Sequence, residues 1–153
     1  MTNKSKLSSD YIRGLVEGEG TFTFSTSPHK SDPKWKYKIP SFCIRMHDRD
    51  TFLLEEVRDF LKLKNKIYRY HYPGNDGSTK RGPQAILIVR DFYQIKRIIV
   101  PLFYKKLIGN KGRQFEEWIS RIGSDPDVPS SFKLIYKMYI SGFYDRNKFD
   151  FDK

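Results

Sequence analysis

Two glutamates, Glu17 and Glu19, close a short stretch in which acid alternates with glycine, Gly18 lying between them and Gly20 after them. A carboxylate can hold a hard cation, move a proton or simply meet water, and its surroundings decide which. Ser8-Ser9-Asp10 is a helix-cap cluster, so Tyr11 to Glu19 reads as a helix that Gly20 stops. Glu17 and Glu19, two apart, then lie on roughly opposite sides of that helix and do not form a paired-acid site within one chain. Glu19 sits where the helix macrodipole is negative, and an anion there is disfavoured unless a cation joins it. Its carboxylate and a last-turn carbonyl such as that of Gly18 make a hard-cation site. The competing reading leaves both glutamates solvated beside a glycine cap, and composition alone favours it. Gly14 and Gly18 share one helix face, where small residues let two helix backbones approach closely. Tyr11 and Leu15 flank that face and, with Phe22, can also pack into the chain's own core.

The elements that would position these groups follow from hydrophobic periodicity. Thr21 to Ser27 alternates, with Phe22 and Phe24 on one face and Thr23, Ser25 and Ser27 on the other. After a turn from Pro28 to Pro33, Trp35 to Met46 makes a second strand carrying Lys36, Tyr37, Lys38 and Arg45, so the pair reads as a long hairpin. Asp48 or Asp50 can cap a helix with Leu53, Leu54, Val57, Phe60 and Leu61 inward. Lys66 to Tyr72 reads as a third strand, Pro73 to Pro83 as a loop and Gln84 to Arg90 as a fourth strand. Asp91 caps a helix with Phe92, Ile95, Ile98, Ile99 and Leu102 inward. A further helix is expected from about Arg113 to Ile122 and a last one from Ser131 to about Tyr144. Strand pairs separated by helices predict an α+β fold, αββαββα, with an antiparallel sheet covered by helices on one face. The expected organisation is a domain over 1–122, a linker over 123–130 and a C-terminal helix and tail over 131–153.

The string Ile12 to Gly20, IRGLVEGEG, followed by Thr21-Phe22, resembles the motif of the LAGLIDADG homing endonucleases, departing from it at Arg13 and placing glutamates where aspartates are usual. With the downstream element order, the likeness covers roughly residues 8 to 122. It implies a saddle-shaped sheet astride the DNA major groove, and two motif helices side by side with their last acids near the scissile phosphates. Carried onto this chain, Glu19 is the metal-binding catalytic acid, Gly18 offers its carbonyl, and Glu17 is structural. The implied reaction is Mg²⁺-assisted phosphodiester hydrolysis. Lys111 falls where the family often places a basic group, with Lys105 and Lys106 as alternatives. His47 and Arg49 stand where polar water-positioning residues are usual, Met46 replacing a glutamine seen in some members.

For contact with double-stranded DNA, strand parity selects Thr23, Ser25, Ser27, Tyr37, Arg45, Tyr68 and Tyr70. Lys30, Lys34, Lys36, Lys38, Lys66, Lys80 and Arg81 are expected mostly on phosphates, which give affinity without sequence information. Strand four is too uniformly apolar for parity to assign a face, so Gln84 and Arg90 join the set only by residue type. The overall balance agrees: 29 Lys+Arg against 18 Asp+Glu give a formal charge of +11, which favours a polyanionic partner. No apolar run approaches the roughly 20 residues that span a bilayer, so no membrane partner is expected. The single cysteine, Cys43, excludes an intramolecular disulfide and fits a reducing compartment, and the N-terminus lacks the apolar stretch of a signal peptide. The expected location is intracellular, in a bacterial cytoplasm or an organelle.

One motif implies a homodimer through the first helix, at Tyr11, Gly14, Leu15 and Gly18. The segment Tyr139 to Phe149 echoes the motif, with Asp145 against Glu17 but Asn147 against Glu19. It reads either as a degenerate second interface helix or as an ordinary amphipathic helix with Ile135, Met138, Tyr139 and Phe143 inward. Two rivals to a DNA-cutting enzyme remain. One is a non-cleaving nucleic-acid-binding protein of the same fold, such as an intron maturase or an inactivated half-enzyme; the other is a ribosomal-type RNA-binding domain.

Overall fold

The computed structural model describes residues 6–28, 34, 36–70 and 82–152. Helix α1 spans Ser9–Glu19, and Ser8 caps it by accepting the Tyr11 N–H through its hydroxyl (3.1 Å). Ile12 and Val16, one turn apart, are fully buried and anchor α1 on the sheet, whereas Tyr11 stays half exposed. Gly20 ends the helix in extended geometry, φ −86° and ψ 158°, so the chain passes straight into strand β1, Gly20–Pro28. The glycine is demanded by space and not by a left-handed cap. A Cβ there would stand 2.5 Å from Val16 Cγ1 and 2.9 Å from the Val16 carbonyl oxygen.

Strand β2 spans Lys36–His47, β3 Ile67–Tyr70 and β4 Gln84–Val89. They form an antiparallel four-stranded sheet in the order β1-β2-β4-β3. The register is offset: β1 pairs with residues 36–44 of β2, and β4 with residues 42–47, so the two neighbours overlap only at 42–44. Phe22, Phe42, Ile44, Ala85, Leu87 and Val89 turn one face into the core. Phe22 is the hub, with ring centroids 5.1–5.5 Å from Phe42, Phe103, Phe115 and Trp118.

Helix α2, Thr51–Phe60, follows a 3₁₀ turn at Asp48–Asp50. Neither aspartate is its side-chain cap, contrary to the sequence expectation. His47 Nδ1 accepts the Arg49 N–H at the 3₁₀ turn, and the Asp48 carboxylate instead binds Arg69 at 2.8 Å. Residues 92–103 form helix α3, capped by Asp91 through the Gln94 N–H, with a π-helical stretch at Ile95–Ile99. Pro101 follows that stretch; it has no N–H to give and its ring crowds the carbonyl one turn back, which a widened turn relieves.

Helix α4, Asn110–Ser124, starts earlier than its apolar periodicity suggested. It lies on β1, where Trp118 Nε1 donates to the Thr23 carbonyl at 2.7 Å. The 123–130 stretch is packed: Val128 is buried, the Lys38 N–H bonds the Asp127 carbonyl, and Lys133 Nζ meets the Gly123 and Asp125 carbonyls at the end of α4. Helix α5, Lys133–Ile140, gives way to the short α6, Phe143–Arg146, through Gly142 at φ +82°. Ile135 and Tyr144 join the same core cluster as the sheet. No helix among the described residues is long and apolar enough to cross a membrane.

Candidate catalytic end and nucleic-acid face

The two glutamates have different surroundings. The Glu17 carboxylate accepts the backbone N–H groups of Ile108 (3.0 Å) and Gly109 (3.1 and 3.2 Å to its two oxygens). It thus supplies the negative charge that the N-terminus of α4 favours, since Gly109 has no side chain to cap it. Glu17 is a tie between α1 and α4. Glu19, one turn-end later, is exposed. Beyond Gly20 the chain is strand, so the Gly18 carbonyl has no helical N–H to meet.

Lys111 is brought to this end from far along the chain: its ammonium donates to the Gly20 carbonyl at 2.7 Å. The Cys43 thiol is pushed up by burial, against the opposing pull of Arg45, a hydrogen bond with Thr21, and Lys111. Glu19, Lys111, Thr21, Cys43 and Arg45 therefore share one end of the hairpin. Lys105 does not compete for Lys111's place, being 3.2 Å from Asp145. His47 and Arg49 stand further along β2 and its following turn. His47 Nδ1 accepts the Arg49 N–H at 3.1 Å, which leaves Nε2 as the ring nitrogen outside that bond.

Oxygen donors, one carboxylate and one carbonyl at the negative end of a helix, suit a hard divalent cation such as Mg²⁺. Among the described residues no group of three or more His, Cys, Asp or Glu side chains could hold a metal. The donors Glu19 and Gly18 would thus supply part of a cation's coordination and not all of it.

Parity places the outward face of the sheet. Thr21, Thr23, Ser25 and Ser27 on β1 stand opposite Cys43, Ser41, Ile39 and Tyr37 on β2. On the other side Arg45, Ile86 and Tyr68 form one row, and His47, Gln84 and Tyr70 the next. Thr23, Ser27, Tyr37, Arg45, Tyr68, Tyr70 and Gln84 thus share a face, and the Tyr68 and Tyr70 rings stack with centroids 6.4 Å apart. Ser25 is on it too, but its hydroxyl is already engaged with that of Ser41 at 2.7 Å.

Other predicted contacts lie elsewhere. Lys36 and Lys38 have the parity of the core residues Phe42 and Ile44, and Lys38 is drawn to Asp125 at 3.0 Å on the helix side. Lys34 is exposed, Lys66 and Arg90 are exposed just outside β3 and β4, and Lys30, Lys80 and Arg81 lie outside the described residues. Sequence reasoning missed Ile86, Ile88 and Cys43 on the outward face. Strand four has no alternation of residue type, and only its register with β2 distinguishes Ala85, Leu87 and Val89 from Ile86 and Ile88.

The face of α1 bearing Gly14 and Gly18 is open: a Cβ on either would meet nothing within 4 Å. The C-terminal segment does not fill it. The echo of the motif breaks at Gly142, and Asp145, opposite Glu17 in that echo, accepts from Tyr104 (2.8 Å) and Lys105, which hold its carboxyl below the usual range. Asn147 donates back to the Phe143 carbonyl at 2.9 Å.

Residues 12–122 match the family described as LAGLIDADG endonuclease. The chain belongs to this family. No curated protein matches the sequence. Among solved structures, the LAGLIDADG homing endonuclease I-LtrWI, bound to target DNA, is 27% identical, with a TM-score of 0.59 over 74% of this chain and 36% of that one. I-SmaMI, bound to uncleaved DNA in the presence of calcium ions, is 25% identical with a TM-score of 0.61, over 92% and 46%. The meganuclease I-CpaMI, bound to uncleaved DNA, shares the fold with a TM-score of 0.63 at 18% identity, over 95% and 45%. The chain spans less than half the length of these solved structures. The α+β class and antiparallel sheet expected from the sequence are those of the LAGLIDADG endonucleases, and the family match begins at Ile12, within α1.

Proposed function

We propose that this LAGLIDADG chain is a homing-type endonuclease unit that binds double-stranded DNA on its outward sheet face and hydrolyses a phosphodiester at the end of α1. The observation that carries the reading is an exposed Glu19 directly before Gly20, whose carbonyl accepts from the Lys111 ammonium at 2.7 Å, at the edge of that face. Glu19 and the Gly18 carbonyl hold a divalent cation, which when bound supplies charge neutralisation at the scissile phosphate. Lys111 adds a fixed positive charge where negative charge develops. The His47 Nε2–H, further out, orients water or phosphate oxygen as a donor.

The open face at Gly14 and Gly18 takes a second motif helix, which we assign to a second copy of the chain and which brings the second acid. DNA-bound relatives support the duplex as partner. With Glu17 tied to Ile108 and Gly109, Glu19 is the one acid left at the end of α1, and no three-ligand cluster exists among the described residues, which also keeps a second reading, a non-cleaving nucleic-acid-binding protein of the same fold.

The deciding experiment incubates the protein with Mg²⁺ and a plasmid carrying its own insertion locus, beside a Glu19→Gln variant. Cutting by the parent alone, with similar duplex binding by both, is the expected outcome. Binding without cutting by the parent establishes the second reading, and equal cutting by both removes Glu19 from the reaction.

A further inference from the structure

The outward face is not uniformly polar. Because β1 and β4 overlap on β2 only at residues 42–44, the sheet has a waist there, and the outward row across it is Thr21–Cys43–Ile88. Ile86 is the next outward residue on β4; it is only 3% exposed, between Arg45 and Tyr68 in its row. Ile88 has no such cover and stays partly exposed, as does Cys43. Away from the waist, one arm carries hydroxyls (Thr23, Ser27, Tyr37) together with Ile39, which is partly buried against the core cluster, and the other carries Arg45, His47, Gln84 and the tyrosine pair around the buried Ile86. Hydrogen-bonding groups thus dominate both arms, with Ile88 and Cys43 at the centre.

That centre is the first outward row after Glu19, two residues along a strand that rises about 3.4 Å per residue. A sheet face that met only solvent would gain little from the partly exposed Ile88, and the helix-side core does not use it. In the major groove the one apolar group a base pair presents is the C5-methyl of thymine. We infer that Ile88, with Cys43 beside it in its row and Ile86 in the next, contacts a thymine methyl in the base pairs next to the cut, making this row a determinant of sequence specificity. The inference rests on the proposed DNA-binding reading and names what part of the target the waist selects.

The test selects bound sequences from a pool of randomised duplexes, with Ca²⁺ in place of Mg²⁺ so that binding is read apart from cutting. An A·T pair is expected to be enriched near the centre of the selected site. Replacing its thymine with deoxyuridine, which removes only the methyl, is expected to weaken binding about three- to fivefold, the value of one buried methyl. The Ile88→Ser variant is expected to lose that preference for thymine over uracil, and Ile88→Val to keep most of it. Selection of a sequence with no uracil penalty at any position overturns this inference alone, and so does a penalty unchanged in Ile88→Ser. Failure to select any sequence overturns the DNA-binding reading itself. The uracil comparison on the parent protein stands even if a variant folds poorly.

Discussion

Glu17 and Glu19 differ in neighbours and hence in what their removal does. Glu17→Ala leaves the Ile108 and Gly109 N–H groups to water and detaches the start of α4 from α1, at a cost of about 1–2 kcal/mol for bonds to a charged acceptor at a partly exposed site. Glu19→Ala removes an anion from a helix C-terminus and shifts stability by no more than about 0.5 kcal/mol. Urea unfolding of the two variants checks this; equal losses would show that Glu19 also has a structural tie. Asp125 gives a pH-dependent case. The Asp127 N–H at 2.9 Å and the Lys38 ammonium at 3.0 Å hold its carboxyl below the ordinary value of 3.8. A depressed folded-state value stabilises above the unfolded one and is lost as pH falls through it. The unfolding midpoint of Asp125→Asn should therefore lie below the parent's at neutral pH, with the gap closing below about pH 4.

Between elements, the decisive joint is the passage from α1 to β1. Ile12 and Val16 seat the helix, Phe22 seats the strand, and only a residue without a Cβ fits between them at position 20. Gly20→Ala drives a methyl into Val16 and is expected to cost about 1–3 kcal/mol, the range for an overpacked core, read as a lowered urea midpoint. A normal midpoint would mean that the helix shifts at no cost. The same joint aims Glu19 and Thr21 outward together, so the variant is also expected to cut less than its remaining folded fraction allows. Gly142 shows the opposite use of glycine. Its left-handed φ separates α5 from the short α6, which is why the C-terminal echo of the motif is not one continuous helix.

For the molecule as a whole, the open α1 face is where folding and the proposed assembly separate. Gly14→Leu meets nothing within the chain and replaces a poor helix former, so stability is expected to rise by up to about 1 kcal/mol. The same leucine keeps a second α1 at a distance, so self-association in sedimentation and plasmid cutting are both expected to fall. Cutting that survives with the variant monomeric would refute the second-copy arrangement. With formal charge +11, duplex binding is expected to persist in the variant, weaker by the loss of a second half-site.

Much of this was legible along the chain because it depends on local rules. Caps at Ser8 and Asp91, the alternation of Phe22 and Phe24 with Thr23 and Ser25, and the acid–glycine spacing after Ile12 each act within a few residues, so the helix, the hairpin and the acid at its junction could be read directly. What the sequence left open depends on partners far along the chain. Ninety-one residues separate Glu17 from the Ile108 N–H it accepts and Gly20 from the lysine on its carbonyl. Lys38 has the composition of a phosphate contact but the parity of the core side, and Asp125 holds it there. Strand four's uniform apolarity hid which isoleucines face outward until its register with β2 assigned them. Local spacing determined that Glu19 ends a helix and opens a hairpin. The motif resemblance implied a structural Glu17 and a basic Lys111 near Glu19. Tertiary packing decided what they meet, Glu17 tying α1 to α4 and Lys111 reaching the Gly20 carbonyl, and that Ile88 and Cys43 face outward next to them, because each follows from contacts between segments whose approach no local pattern encodes.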